Sequence, residues 1–238
     1  MEFQKSGVIF DIDGMLFDTT ACVESSWRTL GAKHNVDVDE LIKHVHERST
    51  IDIVKEFFPD NCKTDAFAEK FDKNLAEVIK RYHAAPGAYR AMEAMGLGAW
   101  GVVTSSSSKV WAQKRIKQAR ISPPRALVTA EDIKNGKPDP EGYLLCASKL
   151  GVKPIGPIQF EDIVTGEIVE ERILDVVIFV NSVDGVKAGI ASGAEVVGVL
   201  TPSTSRSELK AAGAQHIIDD LTCTIVGDGF NNVTVHIW

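Results

Sequence analysis

Long apolar runs and paired cysteines are both missing from this chain of 238 residues. No apolar segment approaches the roughly 20 residues that a helix needs to cross a bilayer, so we expect no membrane partner. The four cysteines are far apart and form no Cys-x-x-Cys pair, which disfavours a disulfide framework and a zinc site. The N-terminal residues lack the apolar stretch and cleavage site of a secretory signal. Together these absences predict a cytoplasmic protein with reduced thiols.

An excess of basic charge is missing as well. The sequence has 26 lysines and arginines against 33 aspartates and glutamates, and its net charge is −7. Because no long basic block is present, we do not expect nucleic acid as a partner. An acidic protein can still bind a phosphate ester, since a metal ion and a few local cations can neutralise the phosphate. The length allows one large domain, or a core with a small second domain, and we expect a monomer.

The apolar pattern divides the chain into two kinds of region. Residues 8–10 form a short apolar run that predicts a buried parallel strand. Residues 18–83 show only helical spacing, which predicts four amphipathic helices. From residue 86 onward, strand candidates alternate with helix candidates, as in a doubly wound parallel sheet. The strand candidates are residues 100–103, 126–128, 176–180, 196–200 and 216–218, with 233–237 as a further terminal candidate.

Because the first strand belongs to the same sheet as the later strands, the helical region is predicted to be an insertion. We therefore predict an α/β fold with a Rossmann-like, doubly wound core. The core comprises residues 1–17 and 84–238, and residues 18–83 form a small helical cap inserted after strand one.

Two carboxylates, Asp11 and Asp13, directly follow the first predicted strand. They repel each other when both are ionised and unpaired, and a hard cation such as Mg²⁺, which prefers oxygen ligands, relieves that repulsion. Gly14 allows the chain to turn sharply behind them. An Asp-rich turn in which Asp13 caps a helix is the alternative interpretation. The position after strand one, with a helical insertion behind it, favours the metal site.

Hydroxyl groups at residues 104–108 follow a second predicted strand, and a helix candidate follows them. Hydroxyls and free N–H groups at a helix start can bind phosphate, so Ser105 and Ser106 are candidate ligands. For any one of these serines, a simple helix N-cap is the alternative. Lys137 lies in a Pro-containing turn, where its ammonium can neutralise phosphate. A lysine in such a turn is usually solvated, so Lys137 is informative only together with the other motifs.

A further acidic pair, Glu161 and Asp162, follows the apolar run at residues 158–160. A third carboxylate from another strand would complete a magnesium site. On its own, such a pair most often lies on a solvated face.

These four segments, in this order, resemble the haloacid dehalogenase superfamily of aspartate-nucleophile phosphatases. The sequence is more closely similar to fungal 2-deoxyglucose-6-phosphate phosphatases and glycerol-3-phosphatases, over nearly the whole chain. The resemblance is carried by residues 134–143, and also by 86–87, 103–105 and 185–189.

The resemblance implies Mg²⁺-dependent hydrolysis of a small sugar or polyol phosphate through an aspartyl-phosphate intermediate. It implies that Asp11 is the nucleophile and that Asp13 acts as general acid and base. Ser105 and Lys137 would hold the phosphoryl oxygens. Magnesium would be bound by Asp11, the Asp13 carbonyl and the later acidic motif. The helical insertion would close over the substrate.

The sequence departs from the resembled family in the cap. Relatives carry His-Gly-x-Arg-Thr where this chain has residues 46–50, so that Ser49 stands at the arginine position. The adjacent Arg48 is our candidate for substrate binding.

The larger departure is in the fourth motif, where residues 163–181 interrupt the family spacing and are a predicted insertion. Two registers are open. In the first, Asp162 stays at the site and the insertion loops out. In the second, residues 176–180 take the sheet position and present Asn181, a neutral oxygen ligand that would bind Mg²⁺ more weakly. We favour Asp162, although the later strand has the better apolar pattern. An unspliced intron is one hypothesis for the origin of the insertion.

Two other functions stay open. Related sugar-phosphate mutases share the aspartate pair and a similar cap. The interrupted fourth motif is also compatible with a catalytically impaired relative that only binds phosphate.

Overall fold

The computed structural model describes residues 2–17, 19–45, 48–78, 84–95, 98, 100–105, 109–118, 120–161, 168–222, 225–227 and 233–237. The helices in this part of the chain are α1 (Thr20–Lys33), α2 (Val38–Ile42), α3 (Thr50–Phe57), α4 (Asp65–Val78), α5 (Ala88–Met95), α6 (Lys109–Gln118), α7 (Glu141–Leu150), α8 (Val183–Ala191) and α9 (Arg206–Ala211). The strands are β1 (Glu2–Lys5), β2 (Gly7–Phe10), β3 (Trp100–Val103), β4 (Ala126–Val128), β5 (Ile155–Glu161), β6 (Ile168–Val180), β7 (Ala194–Val199), β8 (His216–Ile218), β9 (Ile225–Gly227) and β10 (Val233–His236). Within those ranges, no helix combines the length and apolarity needed to cross a bilayer.

Six parallel strands form the central sheet, in the order β4-β3-β2-β6-β7-β8. Strand β2 is central, and its Phe10 is level with Val102 of β3 and Phe179 of β6. Every residue of β2 is buried, as expected for a parallel strand covered on both faces. The predicted α/β fold, with a doubly wound core and a helical cap, is confirmed.

Helices cover both faces of this sheet. Alternate strand residues point to opposite sides, so each face presents apolar side chains that the helices bury. On one face, Val8 and Phe10 belong to a cluster that includes Met92 of α5 and Ile116 of α6. On the other face, Ile9 packs in a cluster with residues of α7 and α8. The rings of Phe10 and Phe179 stack with their centroids 5.1 Å apart. Each such buried side chain contributes about 1.5–3 kcal/mol to folding.

The helices α1 to α4 come between β2 and β3 in the chain and have a hydrophobic cluster of their own. At its centre Trp27 packs against Phe71 and Phe58, with ring centroids 4.3 and 6.1 Å away. Helix α3 begins at Ser49, whose hydroxyl accepts a hydrogen bond from the Asp52 N–H. The predicted cap limits, residues 18 and 83, both lie outside the described residues.

A second, antiparallel sheet joins the two ends of the chain in the order β1-β10-β9. The terminal strand candidate at 233–237 is present as β10. Strand β1 was not predicted, since its sequence, Glu-Phe-Gln-Lys, contains a single apolar residue. It pairs along its whole length with β10, so a distant partner rather than local pattern makes it a strand.

Strands β5 and β6 form an antiparallel hairpin whose second strand continues into the central sheet. The register that we favoured from the sequence is therefore wrong. Residues 176–180, and not 158–160, lie beside β2, and all five are fully buried. The physical reason is burial on both faces, which suits Val-Val-Ile-Phe-Val and not a segment that contains Gln159 and Glu161. The core strand is thus supplied by the predicted insertion, and Asp162 lies outside the described residues.

Candidate active site

The candidate site lies where the strand order of the sheet reverses. Counted along the chain, the parallel strands are arranged 3-2-1-4-5-6, so the reversal falls between β2 and β6. Ligands of open α/β sheets bind in the crevice beyond the strand ends at this point. Asp11 follows β2, Thr104 follows β3 and Asn181 follows β6. Three strand ends therefore bring candidate residues to one edge of the sheet.

Asp11 is held in place through both its backbone and its carboxylate. Its N–H donates to the Phe179 carbonyl at 3.2 Å, which ties it to the end of β6. One carboxylate oxygen, Oδ1, accepts the Ile12 N–H at 2.8 Å. The other, Oδ2, forms an ion pair with Lys137 Nζ. The carboxylate thus has a fixed orientation and a cation beside it.

Lys137 is almost completely buried, and its side chain is 8% exposed. Burial is the largest single influence on the pKa of Lys137 and lowers it, but the charge and hydrogen bond of Asp11, together with Tyr143, outweigh burial and raise the pKa above its ordinary value of 10.5. The ammonium also lies 5.6 Å from the centre of the Tyr143 ring, within cation–π range. The usual expectation of a solvated lysine in a Pro-containing turn does not hold here. Lys137 is a permanently charged cation next to Asp11.

Asp13 has a different partner, Arg115 of α6. Arg115 Nη1 donates to Asp13 Oδ2 at 2.9 Å and Nη2 donates to Oδ1 at 2.5 Å, which makes a bidentate pair. Thr19 Oγ1 also donates to Oδ1, at 3.1 Å. Asp13 therefore does not cap a helix through its side chain; it is held by two side chains from α6 and the start of α1.

Sequence reasoning missed Arg115, although a signal was present. Arg115 is three residues after Ala112 and one before Ile116, so helical spacing places it beside the buried face of α6. A guanidinium on a buried helix face requires an anionic partner, and that requirement is the signal in the sequence.

Asn181 closes the site on the β6 side. Its amide Nδ2 donates to the Asp13 backbone carbonyl at 3.2 Å. Gly14 makes this contact feasible, because its φ is +71° and a Cβ there would lie 2.4 Å from Nδ2. Of the two alternatives left open by the sequence, Asn181 is the residue that the described structure brings to the aspartate pair.

The residues at this edge include oxygen donors, the ligand type that suits a magnesium ion. Among the described residues, no group of three or more His, Cys, Asp or Glu side chains could hold a metal. A mixed set is present instead: the Asp11 carboxylate, the Asp13 carbonyl and the Asn181 amide. Each of these three groups carries an oxygen atom, so the residues present would fit Mg²⁺ in the type of their donors.

A cavity of about 230 Å³ lies between the cap and the core. Ser105 and Lys137 line it from the core, and Arg48 lines it from the cap. It is smaller than the 300–1,000 Å³ typical of drug-sized ligands, so it suits a small molecule. Arg48 also forms an ion pair with Glu56 at 2.5 Å. The candidate Ser106 lies outside the described residues.

Similarity to known proteins is consistent with this geometry. Residues 8–168 match the haloacid dehalogenase-like hydrolase family. The chain is 30% identical over 252 residues to 2-deoxyglucose-6-phosphate phosphatase 2 of Saccharomyces cerevisiae, covering 99% of this chain and 96% of that protein. It is 29% identical over 242 residues to glycerol-1-phosphate phosphohydrolase 2 of the same yeast, covering 98% and 89%.

The fold itself is shared with solved structures. A hydrolase from Pseudomonas syringae superimposes with a TM-score of 0.69 at 23% identity, and the match covers 91% of this chain and 94% of that one. The family resemblance predicted from the sequence is confirmed by the family match and by the yeast relative at 30% identity.

Proposed function

Because the chain belongs to the haloacid dehalogenase-like hydrolase family, we propose that it hydrolyses phosphate monoesters of small sugars or polyols, with Asp11 as the nucleophile. The observation that carries this proposal is the buried Asp11–Lys137 pair at the switch point of the sheet. A carboxylate fixed beside a permanent cation is suited to attack phosphorus, since the cation neutralises the approaching phosphoryl group.

In the proposed first step, a carboxylate oxygen of Asp11 bonds to phosphorus while the bond from phosphorus to the sugar oxygen breaks. Lys137 stabilises charge on the phosphoryl oxygens, and Ser105 is positioned in the same cavity to donate a hydrogen bond to them. A proton from the Asp13 carboxyl group goes to the departing oxygen. The products are a free alcohol and an aspartyl-phosphate.

In the proposed second step, a water oxygen bonds to phosphorus and the bond to Asp11 breaks. The Asp13 carboxylate takes the proton that this water loses. Inorganic phosphate leaves and Asp11 is restored. When bound, Mg²⁺ would supply further neutralisation of the phosphoryl group, held by Asp11, the Asp13 carbonyl and Asn181.

The proposed substrate class rests on the cavity and on the relatives. The two yeast relatives are named for a sugar phosphate and a glycerol phosphate, both small esters. The cavity is small, and it is lined by one cation of the core, Lys137, and one of the cap, Arg48. We assign Lys137 to the phosphate and Arg48 to the leaving-group side, where the cap covers the substrate.

The test is release of inorganic phosphate by the purified chain with Mg²⁺, measured on 2-deoxyglucose-6-phosphate and glycerol-3-phosphate. Asp11→Asn should abolish release, whereas Asp219→Asn, which changes an exposed aspartate, should not. Retained turnover in Asp11→Asn would remove this residue from the nucleophile role.

The same experiment separates the two alternatives. An isomerised sugar phosphate without free phosphate would indicate a mutase. No turnover of any ester, together with no heat of Mg²⁺ binding in calorimetry, would indicate a phosphate-binding relative without activity.

A further inference from the structure

The Asp13 carboxylate accepts three hydrogen bonds, although its proposed role requires it to exchange a proton. A carboxylate has about four lone-pair positions, two on each oxygen. Oδ1 accepts from both Arg115 Nη2 and Thr19 Oγ1, which occupies both of its positions. Oδ2 accepts only from Arg115 Nη1 among the described residues. One position on Oδ2 is therefore left for a proton.

A contribution to stability is a weak explanation for a pair such as Arg115–Asp13. The Arg115 side chain is 7% exposed and that of Asp13 is 26% exposed, so the arginine is largely desolvated. Burying a guanidinium is costly, and a buried ion pair often contributes no more than apolar residues of the same volume. Such a pair does fix orientation, because the planar guanidinium holds both carboxylate oxygens in one plane.

The contacts also come from two parts of the molecule. Arg115 belongs to α6 of the core, whereas Thr19 lies at the start of α1, where the chain enters the helical cap. The two side chains approach the same carboxylate oxygen and thereby fix its rotation relative to β2.

We propose that Arg115 is a positioning residue for the reaction: with Thr19 it holds Asp13 so that the proton is exchanged at Oδ2. This inference rests on the proposed phosphatase function. As Asp11 bonds to phosphorus, the proton on Asp13 Oδ2 passes to the departing alcohol oxygen. As water later displaces Asp11 from phosphorus, the proton that water loses returns to Oδ2. Arg115 does not touch the reacting atoms.

Leaving-group dependence tests this role, because only poor leaving groups need the proton. An alcohol departs as a strongly basic alkoxide unless it is protonated, whereas p-nitrophenolate departs without help. We compare kcat/KM for a sugar phosphate with that for p-nitrophenyl phosphate, since kcat/KM reports only the steps up to loss of the first product.

The variant Arg115→Met keeps the side-chain length without the charge. It should lower kcat/KM on the sugar phosphate by about 10- to 100-fold, part of the effect usual for general acid catalysis. On p-nitrophenyl phosphate the change should be less than about threefold, since no proton transfer is required there. Lys117→Ala, an exposed cation of the same helix, is the matched control and should change neither value.

Two further variants keep the test decisive if Arg115→Met folds poorly. Thr19→Val removes the second contact to Oδ1 and should produce the same selective loss, but a smaller one. Arg115→Lys restores the charge and should recover part of the activity on the sugar phosphate. In the Asp13→Asn background, Arg115→Met should have little further effect on kcat/KM for the sugar phosphate, because the carboxylate that it positions is then absent.

Equal losses on both esters, or an additional loss in the Asp13→Asn background, would overturn the positioning role. Failure of the proposed function gives a different result, since the unmodified protein would then release phosphate from neither ester.

Discussion

Replacing Asn181 by aspartate would convert a neutral ligand position into a charged one. Asn181 is 7% exposed, and its Nδ2 donates to the Asp13 carbonyl at 3.2 Å. In Asn181→Asp this hydrogen bond is lost and a third carboxylate faces Asp11 and Asp13. We expect tighter Mg²⁺ binding and lower stability without the metal.

The expected change in Mg²⁺ affinity is the balance between attraction to the metal and the repulsion and desolvation of the new carboxylate. Two unit charges 4 Å apart interact by about 4 kcal/mol at an effective dielectric constant of 20, and the double charge of Mg²⁺ raises the gain from one additional carboxylate to about 8 kcal/mol. Repulsion from Asp11 and desolvation offset much of that gain. A net change of about 1.4 to 2.8 kcal/mol remains, which corresponds to a 10- to 100-fold lower Mg²⁺ dissociation constant.

Without metal, the same variant should melt earlier. The lost hydrogen bond and the unpaired Asp13 carbonyl cost about 1–3 kcal/mol, and a chain of this size loses roughly 2–4 °C per kcal/mol. Saturating Mg²⁺ should reverse the difference, since ligand binding stabilises the folded state.

Calorimetry of Mg²⁺ binding and thermal melts with and without the metal measure both effects. Asn74→Asp, on the exposed surface of α4, is the control for the added charge itself. An unchanged or higher Mg²⁺ dissociation constant in Asn181→Asp would refute the assignment of Asn181 to the metal.

Two other predictions concern buried groups. Lys137→Met should abolish phosphate release and lower the unfolding free energy by about 3–5 kcal/mol, because Asp11 is left unpaired. Because the pKa of Lys137 is raised, the Asp11–Lys137 ion pair is intact below pH 10.5, the ordinary pKa of lysine, and is lost only at more alkaline pH. The loss of stability in Lys137→Met should therefore be constant from pH 6 to 9 in urea titrations. A loss that varies across this range would contradict the assignment. Burial raises the pKa of the Cys146 thiol to about 12, so iodoacetamide at pH 8 should leave it unmodified in the folded protein, whereas the half-buried Cys22 should react faster. Peptide mapping measures both thiols, and rapid labelling of Cys146 would show that its surroundings open to solvent.

The sequence alone was sufficient for the architecture and for identifying the polar residues that follow the strands. Its short apolar runs bounded by turn residues identify β2, β3, β4, β7 and β8, because parallel strands buried on both faces are apolar throughout. The carboxyl ends of such strands meet at one edge of the sheet. The order of apolar runs and polar residues along the chain is therefore enough to predict that residues just after the strands, such as Asp11 and Thr104, converge.

Only the tertiary structure decided which segment takes the place beside β2. Both 158–160 and 176–180 are locally plausible, and the acidic pair after the first favoured it. The choice depends on how well each segment is buried between helices on both faces, which a local pattern does not contain. The same limit applies to Arg115, whose partner Asp13 is 102 residues away in the chain. It applies also to β1, whose partner β10 is at the opposite end of the chain. Local sequence determines which segments can form strands and where polar groups follow them, whereas long-range packing determines which strand and which cation finally meet the aspartates.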